Sequence, residues 1–267
     1  MADTLSIQTT ELAAGGGACS LTQLLGACDE LMRPPPGLRD HGLNGLQVQG
    51  KEEVRRLVCG VTANLALIKE AIDVQADAVL VHHGYFWRNE SPRITGLRRR
   101  RLGTLMHHDI SLLAYHLPLD AHPECGNNAQ IAQRFGWQPR GHFGDEDLGW
   151  LGEAPAPIRL DALARQLAQS YGREPLVIGD AARTIRTLAW CSGGAQGWFE
   201  AAIDAGADAF ITGEISEPCT HLARESGVAF LACGHHATER DGIRALGEHL
   251  RQHYGIAVEF LDVDNPV

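Results

Sequence analysis

Val81-His82-His83-Gly84 follows one apolar run of this chain, and Gly234-His235-His236-Ala237-Thr238-Glu239 follows another. Tyr115-His116-Leu117-Pro118-Leu119-Asp120 lies between them. Each histidine group falls where a predicted strand ends. Neutral imidazoles and carboxylates are Lewis bases, and a rigid scaffold that aims several of them together makes a divalent-metal site. Adjacent strand residues point to opposite faces, so at a strand end His82 and His83 diverge toward two neighbouring ions. Four-residue spacing puts His235 and Glu239 on one side of a helical turn. Pro118 pushes Leu117 out of helical geometry, so His116 and Asp120 are expected on an extended, turning loop. Any one of these histidines alone reads as an ordinary core or surface residue; the set carries the weight. The reading is a two-metal site in which Glu239 bridges and His82, His83, His235 and Asp120 supply terminal contacts. Two ions roughly 3.5–4 Å apart hold a bridging hydroxide and stabilise charge on an attacked carbonyl or phosphoryl group. A metal brings the pKa of bound water to about 7. With no cysteine in the set, Zn, Fe, Mn and Ni all suit it. His236 is a candidate acid or base beside the site, with a structural role as the equal alternative.

Other groups signal less. Ser192-Gly193-Gly194-Ala195-Gln196-Gly197 sits between a strand and a helix, where backbone N–H groups can cradle a phosphate; a tight turn needed for packing is the preferred reading. The arginine run from Arg98 to Arg101 reads as a solvated helix face. Tyr85-Phe86-Trp87 reads as core by default, with one ring able to wall off the metals. His107 and His108 close a predicted helix over 97–106 and read as structural. His41, His122, His142, His221, His249 and His253 fall in no spacing that points to chemistry.

The elements that must position these residues alternate. A capping box, Ser20 with Gln23, opens a helix running to about Met32. Strands are predicted at 57–61 and 78–81 around a helix at 65–73, the order of a parallel sheet. The passage from Ala71 to Val81 then recurs from Ala202 to Thr212, an offset of 131 (202 minus 71). At that offset His83 aligns with Glu214. Leu113-Ala114-Tyr115-His116 parallels Leu231-Ala232-Cys233-Gly234-His235, and both copies place a carboxylate four residues after the histidine. Matches in the same order argue for duplication. The fold expected is α/β: two pseudo-repeated α/β halves, with mixed or mostly parallel sheets flanked by helices and the metal site between the halves. Ligands of open parallel sheets bind beyond the carboxyl ends of strands. The boundaries expected are a flexible tail at 1–19, a first half at 20–135, a connecting segment at 136–157 and a second half at 158–267.

Composition narrows the function classes. The 267 residues are enough for a large core in one or two domains. A formal charge of −10 argues against a general nucleic-acid-binding surface. No apolar stretch has bilayer length, and the first residues lack the pattern of a signal peptide. Seven dispersed cysteines without a C-x-x-C pair suit reduced thiols, so a cytoplasmic protein is expected.

Together, Asn44-Gly45-Leu46-Gln47-Val48, His82-His83-Gly84-Tyr85-Phe86-Trp87, His116-Leu117-Pro118-Leu119-Asp120, Ile211-Thr212-Gly213-Glu214 and Gly234-His235-His236-Ala237-Thr238-Glu239-Arg240 resemble the Nif-three-like dinuclear metal-centre family, in its short bacterial form. Its members are often labelled type-two homologues of GTP cyclohydrolase one. The resemblance runs from about residue 20 to the C-terminus. It implies a toroidal homohexamer with two divalent metal ions per subunit facing an internal cavity. It implies His82, His83, Asp120, His235 and Glu239 as metal ligands, and His116 as a substrate-facing residue or a support for Asp120. The family label suggests opening of the purine ring of GTP by metal-activated water. Two function classes follow: a hydrolase acting on a nucleotide or cyclic amide, with Glu239, His116 and His236 as candidate catalytic residues, or a non-catalytic metal carrier or protein-interaction platform. A ring that threads nucleic acid is disfavoured by the acidic charge.

Overall fold

The computed structural model describes residues 16–267 and the backbone of Ile7–Thr9. In chain order its principal elements are β1 (Ile7–Thr9), α1 (Leu21–Leu31), β2 (Gly45–Val48), β3 (Arg56–Thr62), α2 (Leu65–Asp73), β4 (Ala78–His83), α3 (Gly96–His107), β5 (Ser111–Ala114), α4 (Leu117–Ala121) and α5 (Asn127–Phe135). There follow β6 (Gln138–Phe143), β7 (Gly149–Arg159), α6 (Leu160–Tyr171), β8 (Leu176–Ile178), β9 (Thr184–Trp190), α7 (Phe199–Asp204), β10 (Ala209–Thr212), α8 (Glu217–Ser226), β11 (Ala229–Ala232), α9 (His235–Thr238), α10 (Arg240–Tyr254) and β12 (Ala257–Val263). The chain forms two compact units: residues 1–126 with 242–264, and residues 127–241 with 265–267.

In the first unit the sheet order is β1-β12-β3-β4-β5-β2. The strands β12, β3, β4 and β5 run parallel, and β1 and β2 close the edges antiparallel. Successive residues of β3 enter different cores: Leu57, Cys59 and Val61 pack with α1 and α10 residues, while Val58 packs with α2 and α3 residues. Both faces are therefore covered by helices, which is why these strands read as unbroken apolar runs. Helix α1 opens with the capping box of Ser20 and Gln23 and ends at Leu31, as the sequence predicts.

The second unit repeats the plan with changes at one edge. Its order is β8-β11-β10-β9-β7-β6. Strands β9, β10 and β11 are parallel and stand for β3, β4 and β5; β8 pairs antiparallel with β11 as β2 does with β5. On the other edge β7 joins β9 antiparallel, where the first unit has the parallel β12. Trp190 and Leu188 face one core with α5 and α6, while Ala189 and Phe210 face another with α7 and α8. The mixed α/β architecture in two pseudo-repeated units is the one expected.

The boundaries differ from expectation. The 136–157 segment is the β6–β7 hairpin and forms the sheet edge of the second unit. Its Gly, Pro and acidic residues hide a strand pattern because most of β6 is exposed. Residues 242–264 belong to the first unit, because β12 pairs with β3. Of the 1–19 stretch, Ile7–Thr9 pair with Leu261–Val263 and the Gly17 amide donates to the Gly255 carbonyl at 2.9 Å; residues 1–6 and 10–15 lie outside the described residues. Edge pairing uses backbone groups alone and leaves no periodicity in three residues. Among the described residues, no helix is long and apolar enough to cross a membrane.

Candidate metal centre

In the first unit the histidines stand at the carboxyl ends of β4 and β5. His82 continues the strand and is fully buried. Its Nδ1 lies 3.0 Å from the Tyr115 carbonyl, and its Nε2 lies 3.5 Å from Asp120 Oδ2. His83 Nδ1 is 3.2 Å from Thr62 Oγ1. His116 Nδ1 is 2.7 Å from Asp40 Oδ1. One ring nitrogen from each of His82, His83 and His116 lies within 4.8 Å of the other two. Nδ1 of each ring is thus engaged by an oxygen. Such outer contacts fix tautomer and ring orientation in metal sites.

Asp40 anchors this half. Its carboxylate accepts from the backbone N–H of Gly42 and of Leu117, both at 2.9 Å, and from Asn44 Nδ2. Asn44 in turn accepts the His116 N–H at 2.7 Å. Burial pushes the Asp40 carboxyl up, but the hydrogen bond and charge of His116, with the Gly42 and Asn44 donors, bring it well below the usual carboxylate range. Gln47 clamps the loop after β4: its Oε1 accepts the Tyr85 N–H at 2.7 Å and its Nε2 donates to the Tyr85 carbonyl at 3.0 Å. A side chain on Gly84 would collide with Gln47 and Ala114, so only glycine admits this clamp. Tyr85 is core, its hydroxyl donating to the Ala63 carbonyl at 2.6 Å. Trp87 is the ring at the site, edge-on to His116 with centroids 4.8 Å apart.

Residues 117–121 are helical, not an extended loop. Pro118 sits in the first turn of α4, where no intrahelical bond needs its missing N–H. Leu119 and Asp120 amides close onto the His116 carbonyl at 2.8 and 3.3 Å, and Asp120 is buried.

In the second unit, α9 follows β11 and carries His235 four residues before Glu239. His235 Nε2 is 3.1 Å from Glu239 Oε1, and His235 Nδ1 is 2.6 Å from Glu214 Oε1. Burial alone would lower the His235 pKa; the hydrogen bonds and charges of Glu239 and Glu214 overcome it and raise the value to about 9. Glu239 is only 4% exposed. The turn after β9 makes room for it: Gly193 has φ +65°, and a side chain there would fall on Glu239 Oε1. Thr238 Oγ1 accepts the Gly193 N–H at 3.0 Å and donates to the Gly234 carbonyl at 2.9 Å, tying that turn to α9. The amides of Ser192 and Ala195 are likewise taken, by Asn128 Oδ1 and Thr212 Oγ1. These glycines therefore make a packing turn. His236 is buried on α9, its backbone N–H donating to the Val267 carbonyl at 3.0 Å.

Glu214, Asp40, Asn44 and Thr62 are the positioning groups that residue-by-residue reasoning did not select. Glu214 had a signal, because it occupies the His83 position of the repeat; Asp40 and Thr62 had none. Arg98 lies over the Phe86 ring at 5.8 Å and pairs with Glu90, and Arg101 lies over Tyr85 at 5.9 Å, so two of the four arginines are structural.

Imidazole nitrogens and carboxylate oxygens without thiolate form a donor set suited to a divalent metal, and the His82, His83 and His116 group of the first unit, buried at His82 and half-buried at the other two, fits one. The model of the family described as Duf34/NIF3 (NGG1p interacting factor 3) matches residues 20–266. The chain belongs to the Duf34/NIF3 family. Among its Duf34/NIF3 relatives, a Pseudomonas aeruginosa protein named "GTP cyclohydrolase 1 type 2 homolog" is 50% identical over 232 residues, 86% of this chain and 92% of that one. A Yersinia pestis protein of the same name is 52% identical over 229 residues, 85% of this chain and 92% of its own. Of solved structures, protein ybgI, titled as of unknown function, is 48% identical with a TM-score of 0.89, covering 93% of this chain and 100% of that one. A protein from Thermus thermophilus is 34% identical with a TM-score of 0.83, covering 93% of this chain and 99% of its own.

Proposed function

We propose that this Duf34/NIF3 chain is a divalent-metal-dependent hydrolase acting on a nucleotide or a related cyclic amide, in the manner the name GTP cyclohydrolase 1 type 2 homolog suggests for its relatives. The observation that carries the reading is the gathering of His82, His83 and His116, one ring nitrogen of each within 4.8 Å of the other two, with Nδ1 of each ring held by an oxygen. The finer reading is a centre of two ions held by His82, His83 and Asp120 of the first unit with His235 and Glu239 of the second. Both sets stand at the carboxyl ends of parallel strands of their own sheet, where open α/β sheets bind ligands. When bound, such ions act as Lewis acids and bring the pKa of water to about 7.

The chain's own residues then have defined tasks. Asp40 and Glu214 hold the imidazoles of His116 and His235 in place. Trp87 shields the first unit's histidines from bulk water. Glu239 and His236 are assigned to proton transfer, and His116 to the substrate. All seven cysteines are buried free thiols, the state a reducing compartment maintains, so we place the protein in the cytoplasm. The family motifs support a ring of six copies, and light scattering on the purified protein tests that.

The test of function pairs elemental analysis with substrate screening. Protein loaded in turn with Zn, Fe, Mn and Ni is expected to turn over some member of a nucleotide and cyclic-amide panel. Glu239→Gln should abolish that turnover and leave the oligomer intact. Fully loaded protein inert across the panel, with metal that exchanges rapidly with a chelator, would sink the hydrolase and favour a carrier.

A further inference from the structure

A cavity of about 550 Å³ opens in the first unit, and its wall includes Glu30, Leu31, His122, His249, His253 and Tyr254 but no residue of the histidine centre. His249 and His253 are one turn apart on α10 and share a face. Their rings lie parallel, 9° apart in plane with centroids 6.3 Å apart, and both residues are exposed. Glu30 reaches the cavity from α1.

The other polar groups of the wall are committed. The Tyr254 hydroxyl donates to the Gln23 carbonyl at 2.9 Å. His122 Nδ1 accepts the backbone N–H groups of Glu124 and Cys125 at 3.2 and 3.1 Å. A neutral imidazole has one acceptor nitrogen, so His122 Nε2 bears hydrogen and is a donor in the wall, not a ligand. That leaves two imidazoles at helical spacing and one carboxylate.

We propose that His249, His253 and Glu30 form a mononuclear transition-metal site, independent of the histidine centre and of the proposed hydrolysis. Two histidines four apart on a helix chelate one ion, as they do in helical zinc motifs. The three groups do not stand at ligand spacing in this structure; binding would bring them together by rotation of the exposed imidazole and carboxylate side chains. Imidazole and carboxylate donors suit Zn, Ni and Cu(II), and the acidic chain attracts cations. The cavity has room for water to complete the coordination.

Copper is the probe, added to protein whose histidine centre is already loaded with Zn. Calorimetry should find one Cu(II) per chain more in the wild type than in the His249→Ala/His253→Ala double variant. Electron paramagnetic resonance should show coupling to two imidazole nitrogens, reduced to one in either single variant. Glu30→Gln should bind roughly tenfold more weakly, about 1.4 kcal/mol. Equal Cu(II) stoichiometry in wild type and double variant overturns the proposal. A second measurement needs no variant: with ascorbate as reductant and dissolved dioxygen as oxidant, bound copper should oxidise His249 and His253 well above exposed His221 in the mass spectrum. Uniform oxidation of the three also overturns it.

Discussion

Asp77 and Asp208 make the same two hydrogen bonds, 131 residues apart (208 minus 77). Asp77 Oδ2 accepts the backbone N–H groups of Arg55 and Arg56 at 2.9 and 3.0 Å; Asp208 Oδ2 accepts those of Arg186 and Thr187 at the same two distances. Each carboxylate also meets a cation, Lys51 in one unit and Arg183 in the other. The duplication thus reaches the hydrogen bonds at the start of β3 and at the register shift within β9, beyond the apolar pattern. Replacing either Asp by Ala should cost about 1–3 kcal/mol, because it strips a charged acceptor from two backbone donors. Chemical denaturation of each variant measures it, and a cost near zero at either position would deny the equivalence.

The same contacts set an acid dependence. Burial raises the Asp77 carboxyl, but Lys51 and the Arg55 and Arg56 amides lower it below its ordinary value. A carboxylate with a depressed folded pKa stabilises the fold above its unfolded pKa, about 3.9, and that contribution is lost as pH falls through the folded value. Stability should therefore fall as pH drops below about 4, and Asp77→Asn should be less stable at neutral pH but lose less on acidification. Unfolding curves of both proteins between pH 7 and 3 give the comparison.

Glu214→Gln should keep the fold and lose metal. Its carboxylate holds His235 at 2.6 Å, and removal of such an outer partner weakens metal affinity by about 10–100-fold. Competition with a chromogenic chelator reads the affinity, and an unchanged value would show that Glu214 does not orient the imidazole.

Gly193→Ala should be destabilised and metal-poor together. A left-handed backbone at a non-glycine residue costs on the order of 1–3 kcal/mol, and the added methyl would displace the Glu239 carboxylate. Denaturation midpoint and metal content of the same preparation test both halves of the expectation. Loss of stability with normal metal content would separate the turn from the site.

What the linear chain determined by itself was local: the α1 cap at Ser20, the apolar runs of β3 and β4, helix α2, and the histidine groups placed where strands end. These follow from short-range periodicity and from side chains that declare their chemistry. The repeat was legible too, because duplicated strands keep their spacing. Three-dimensional pairing alone decided that β12 joins the first unit beside β3, since hydrogen bonding between strands distant in sequence leaves no local mark, and that residues 138–159 form the β6–β7 hairpin, whose mostly exposed β6 carries no apolar alternation. It alone decided that α4 is helical from Leu117 and that Asp40 and Thr62, 76 and 21 residues from His116 and His83, hold those rings. An outer partner is selected by where its oxygen ends up in space, and its residue type is too common for the sequence to single it out.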